Sequence, residues 1–200
     1  NATGGHTKHW TGVDQPLSGV IRVDGAAFRF LGGPWRWSES PIPPMPQVSR
    51  HVTPTRTIYG FEGSGVHLDL TFLTPTIAGE LDLVSRPLTY ITFEVRSIDN
   101  RPHAVQLYFD AGAELAANHG SDPTETLALR IGDIDAVRMG SVAQPVLAKS
   151  GDNLRIDWGY LYLAAKSSDN IQLIRTNTRD RLPFLKTGKL DSVEGEWLRT

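Results

Sequence analysis

Hydrophobic and polar residues alternate with a period of two along most of this chain, which is the pattern of half-buried β-strands. In "LSGVIRVDGAAFRFLG" the alternation runs into Asp24-Gly25 and out again. This dipeptide favours a two-residue hairpin turn. The turn pairs Val23 with Ala26 and Ile21 with Phe28. Ile21, Val23, Phe28 and Phe30 then share an inward face, and Val20, Arg22, Arg29 and Leu31 lie opposite. "QVSRHVT", "RTIYGFE" and "SGVHLDLTFLT" continue the period, the last with Val66, Leu68, Leu70 and Phe72 against His67, Asp69 and Thr71. "RPLTYITFEVRSIDNRPHAVQLYFD" predicts a long strand, a turn at Asp99-Asn100 and a return strand. "ETLALRIGDIDAVRMGS" predicts two short strands around Gly132-Asp133. "NLRIDWGYLYLAA" predicts a strand with Ile156, Trp158, Tyr160 and Tyr162 on one side.

Two stretches break the pattern. Five prolines from Pro34 to Pro46 forbid a helix and a central strand, so "GGPWRWSESPIPPMPQ" is expected to be a long surface loop. From Thr176 onward the period is lost, and 176–200 is expected to be a linker or a truncated end leading to a further domain. "AGAELAAN" allows one short helical turn. Turn signals about every ten residues, with no amphipathic helix of ordinary length, predict an all-β fold over 1–175. The expected form is a two-sheet antiparallel β-sandwich with long loops and little helix. Phe72, Phe93, Leu107 and Trp158 are expected to share its core.

Composition narrows the function classes. The net charge is −2 over 200 residues, without the basic stripe of a nucleic-acid binder. No apolar run approaches the ~20 residues of a membrane-spanning helix. Cysteine is absent, which removes disulfides and thiolate metal sites. There is no Walker loop, no G-x-G-x-x-G after a strand and no G-x-S-x-G elbow. His6 and His9 lack a third ligand at a telling spacing, so no metal and no cofactor is expected, and the N-terminus is expected to be disordered.

The remaining chemistry rests on carboxylates and tryptophans. Asp110 and Glu114 in "YFDAGAEL" flank a strand end, where β folds often place functional groups; a turn-forming aspartate and a solvated glutamate are the plainer explanation. Asp157 in "RIDWGY" lies beside Trp158. It suits a sugar or amide substrate, or else a pairing with Arg155 on the outer face. Trp10, Trp35 and Trp37, with Arg22 and Arg29, are surplus to the hairpin's needs. They suit a surface that docks a second domain, a platform that stacks a sugar ring, or packing at one end of the sandwich.

Several separate motifs together resemble one family. "HWTG", "GVIRVDGAAFRFLG", "TPTRTIYGFEGSGVHLDLTFLTP", "SRPLTYITFEV", "HAVQLYFDAGAEL" and "QPVLAKSGDNLRIDWGYLYLA" occur here in the order of the N-terminal β-sandwich region of glutaminase A-like proteins. The likeness covers roughly residues 9 to 175. It implies an accessory β domain that precedes an α-helical toroid, the expected partner, in a secreted or periplasmic hydrolase of L-glutamine. It leaves catalytic groups mostly outside this chain, which alone is expected to be inactive. A carbohydrate-binding or glycoside-hydrolase-associated module is the alternative, with a small molecule or a glycan as the bound species.

Overall fold

The computed structural model describes residues 1–34, 41–168, 170–175, 181–190 and 198–199. Eleven strands lie among them: β1 (Leu17–Val23), β2 (Ala26–Leu31), β3 (Gln47–Val52), β4 (Arg56–Gly63), β5 (Val66–Leu73), β6 (Tyr90–Ser97), β7 (Val105–Ala111), β8 (Thr124–Ile131), β9 (Ile134–Ser141), β10 (Leu161–Lys166) and β11 (Leu198–Arg199). Described helix is confined to α1 (Leu81–Val84), α2 (Leu182–Thr187) and one 3₁₀ turn at Ala113–Ala116. The all-β reading holds, but with three sheets rather than two: β2-β1-β7, β3-β4-β5-β6 and β10-β9-β8-β11. The named strands pair antiparallel, apart from two parallel residue pairs between β8 and β11.

The hairpin forms as its sequence dictates. Val23 pairs with Ala26 and Ile21 with Phe28. Asp24 and Gly25 both adopt positive φ, 50° and 91°, which matches the twist that a two-residue hairpin turn requires. The turn at Asp99-Asn100 is also present, yet it joins two different sheets: β6 pairs with β5, and β7 pairs with β1. The two strands face each other across the core, with Phe93 and Phe109 at 6.0 Å between ring centroids.

Alternation places the first two sheets face to face. Ile21, Val23, Phe30, Phe61, Val66, Leu68 and Leu70 are buried between them, with Phe72 and Phe93 half-buried at the margin. Two members of the expected core differ. Leu107 is 37% exposed because β7 is the edge of its sheet. Trp158 is half-buried outside this core, because residues 152–160 do not continue the strand and β10 begins only at Leu161.

The larger correction concerns the far side of the hairpin. β1 is buried continuously from Ser18 to Val23, so both of its faces are covered. A second cluster of Val20, Ile42, Tyr108 and Phe184 sits on the side opposite the main core. Phe184 comes from α2, inside the segment expected as a linker. Six residues are too few for a helical period to show in sequence, but Leu182, Phe184 and Leu185 supply the apolar contacts. The proline-rich stretch is also partly internal. Met45 lies in the main core, and Arg29 N–H donates to the Pro43 carbonyl at 2.9 Å while Met45 N–H donates back to the Arg29 carbonyl at 2.8 Å, covering the edge of β2.

Candidate functional site

Tyr108 and Asp110 alternate onto the α2 side of β7. Phe184 stacks on Tyr108 at 5.3 Å between centroids, and this docking brings Arg181, at the N-cap of α2, to 3.2 Å from Asp110 Oδ2. The Tyr108 hydroxyl donates to the same carboxylate at 2.5 Å. Burial pushes the Asp110 carboxyl above the ordinary carboxylate range, while the Arg181 charge and hydrogen bonds from Tyr108 and Ser18 oppose the rise and Glu114 adds to it. Burial and the neighbouring Asp110 charge hold the Tyr108 phenol well above its usual value. A carboxyl raised in this way beside a phenol has the chemistry of a proton donor. Its oxygens are nonetheless engaged by groups of this chain. Glu114, on the 3₁₀ turn, lines a shallow depression with His119, Asp122 and Thr124.

The structure brings Asp110 and Glu114 together and places Asp157 in a different cluster. Asp157 is buried, pairs with Lys149 Nζ, and accepts the Ser141 hydroxyl on its main-chain carbonyl. It does not pair with Arg155. That residue is buried as well, and its backbone N–H donates to Asn118 Oδ1 at 3.1 Å. Both positions are buried because the segment is irregular, so the in-out alternation assumed for a strand does not apply.

The structure describes part of the tryptophan–arginine set. Trp10 is 69% exposed beside His9. Trp35 and Trp37 lie outside the described residues. Arg22 and Arg29 are buried rather than presented outward. Arg22 donates to Gln106 Oε1 at 3.0 Å and to the carbonyls of Gly25 and Lys186. Arg29 donates to the carbonyls of Thr3 and Gly32. The cause is the same for both: α2 and the N-terminal residues pack where the sequence pattern suggested solvent. The N-terminal residues correspondingly pack on the sheet, with Ala2 N–H on Gln47 Oε1 at 2.8 Å and Gly32 N–H on the Ala2 carbonyl at 3.0 Å.

Two histidines were not singled out by sequence. His67, on the outer face of β5, has Glu62 Oε1 at 2.9 Å from Nδ1 and Asp69 Oδ1 at 3.0 Å from Nε2. His103 has Asp24 Oδ2 at 2.7 Å from Nδ1 and Asp99 Oδ1 at 3.0 Å from Nε2. The Asp69 partner was legible as the alternating "HLD" on one face. Asp24 was not, because it comes from 79 residues away.

A family model described as "Domain of unknown function (DUF5127)" matches residues 55–200. Glutaminase A of Aspergillus oryzae is 27% identical over 186 residues, which is 90% of this chain and 26% of that protein. The chain therefore spans about a quarter of the length of this relative. No solved structure matches it.

Proposed function

The chain belongs to the family of domains of unknown function DUF5127, and on that premise we propose that it is the accessory β-sandwich of a glutaminase A-like hydrolase. The chemistry of the whole protein is then hydrolysis of the L-glutamine amide, with its catalytic groups mostly outside this chain, on a partner α-helical domain. One observation carries the reading: the similarity to Glutaminase A runs through 90% of this chain but occupies only 26% of the relative. The state of the candidate carboxylates supports it. Amide hydrolysis needs an activated nucleophile or water, a proton donor and oxyanion stabilisation. Asp110 and Asp157 are instead engaged by Arg181 and Lys149. Secretion or a periplasmic location follows from the same premise, and fractionation of a producing cell tests it.

The test is ammonia release from L-glutamine in a coupled assay. The isolated chain is expected to give none, and addition of the separately produced remainder of the parent protein is expected to give activity. Ammonia release by the isolated chain, lost in Asp110→Asn, would move the active site into this domain. A carbohydrate-binding role is the second reading, favoured by the 69% exposure of Trp10. Calorimetry against oligosaccharides with Trp10→Ala separates it: glycan heat abolished by the substitution would support the binding module.

A further inference from the structure

Three turns meet at one end of the sandwich. The β1–β2 turn contributes Asp24, the β6–β7 turn contributes Asp99, and the β4–β5 turn brings its backbone so close that a Cβ on Gly65 would lie 2.6 Å from both Asp99 Oδ2 and His103 Nε2. His103 sits among them with its side chain only 11% exposed. Asp24 is fixed independently: its other carboxylate oxygen accepts Ala104 N–H at 2.8 Å, and its own N–H donates to the Ala104 carbonyl at 2.9 Å. Asp99 is fixed by Ser97 Oγ at 3.1 Å and Arg101 N–H at 3.0 Å.

We propose that His103 is a proton-held clasp, joining the β1–β2 and β6–β7 turns over the β4–β5 turn only while both of its ring nitrogens carry hydrogen. An ionised carboxylate accepts and never donates, and neutral imidazole has a single N–H. Two carboxylates on one ring therefore make two hydrogen bonds only with the imidazolium. Loss of the proton turns one contact into a lone pair facing a carboxylate. Because the turns belong to both faces of the sandwich, the clasp governs how firmly the sheets are held at that end. Among the described residues, the charged groups facing His103 are Asp24 from the β1–β2 turn and Asp99 from its own β6–β7 turn; the β4–β5 turn presents main chain.

The direction with pH follows. The hydrogen bonds that the ring donates to Asp24 and then to Asp99 hold the His103 imidazole above the ordinary histidine value of 6.5, and the His103 contact holds both carboxyls below 3.8. A raised histidine stabilises fully below its unfolded value and ceases to stabilise as pH rises through its folded one. The lowered aspartates contribute above 3.8 and cease to do so as pH falls. The clasp is thus closed from just above the carboxylate range up to the ordinary histidine value, and loosens as pH rises through the raised His103 value.

The experiment is a proton–carbon NMR titration of the wild-type chain, read against the ordinary histidine value of 6.5. The His103 midpoint is expected to lie above that value. Through that same step the exchange protection of the Asp24 and Ala104 amides is expected to fall several-fold, while amides of the β8–β9 ladder hold. A His103 midpoint at or below 6.5, or unchanged protection at Asp24 and Ala104, would overturn the proposal. In His103→Gln the melting temperature is expected to lie below wild type at pH 6 and to converge with it as pH passes the His103 midpoint found in the titration. A gap independent of pH would count against the clasp. If the variant does not fold, the wild-type titration alone decides.

Discussion

Replacing Gly19 with alanine adds one methyl group where the core has least room. The new Cβ would lie 2.2 Å from Phe30 Cε2 and 2.5 Å from Cζ. The ring would have to retreat by about 1 Å or more to restore ordinary carbon–carbon contact. It cannot swing away freely, because Phe30 is fully buried and packs on Phe61 at 6.2 Å and on Phe93 at 5.9 Å between centroids. Overpacking of this kind costs about 1–3 kcal/mol. Against it stands the ~0.5–1 kcal/mol by which alanine outperforms glycine inside a strand. Gly19 does not have a positive φ, so no backbone strain is added. The expected net loss is about 1–2 kcal/mol, read from urea unfolding with an unchanged m-value. Pairing Gly19→Ala with Phe30→Leu should recover part of it, with a coupling of at least ~0.5 kcal/mol in a double-mutant cycle. Gly19→Ala within ~0.5 kcal/mol of wild type, or simple additivity, would refute the claim that the ring fills the space above Gly19.

Phe184→Ala should destabilise by up to about 3–5 kcal/mol, the range for a buried phenylalanine, capped by whatever α2 docking contributes; a loss below ~0.5 kcal/mol in the same titration would mean that α2 does not hold to the sheet. Arg181→Ala leaves the half-buried Asp110 charge without its cation and is expected to cost about 1–3 kcal/mol at neutral pH. Because burial holds the Asp110 carboxyl above its ordinary value, the penalty should shrink as pH falls and the acid protonates, and stability profiles from pH 7 to pH 4 would show a constant penalty if this is wrong. Trp10→Ala should change stability by less than ~0.5 kcal/mol and remove a fluorescence component already quenched by water-soluble iodide; a larger loss would contradict the exposure of that side chain.

Strand pairing proved legible at two places where a turn dipeptide and an alternating pattern agreed. The Asp24-Gly25 hairpin and the β8–β9 ladder around Gly132-Asp133 are of this kind. What escaped depends on layers. Arg22 and Arg29 looked outward because period two distinguishes the faces of a strand but cannot say that both are covered. Their burial depends on α2 and on residues near the N-terminus. The turn at Asp99-Asn100 was visible, yet local pattern cannot reveal that its strands enter different sheets. The same holds for the candidate site: Asp110 was found as a strand-end carboxylate, while its partner Arg181 arrives from 71 positions further on, in a helix too short to announce itself. Asp157 was placed on an outer face by an alternation that the irregular stretch before β10 does not follow.

The hydrogen bond from Arg22 to the Lys186 carbonyl spans 164 positions of the chain, and this has a consequence for folding during synthesis. A ribosome adds about 5–20 residues per second. The β1–β2 hairpin therefore waits on the order of ten seconds before α2 emerges to cover it. During that interval Val20 has no Phe184 above it, and the Arg22 guanidinium lacks its last carbonyl. The nascent domain passes through a stage in which one face of its central strand is wet, and a chaperone that recognises apolar strand faces would meet it there. A chain ending before Leu182 would be arrested permanently at that stage, soluble only as far as its exposed face allows.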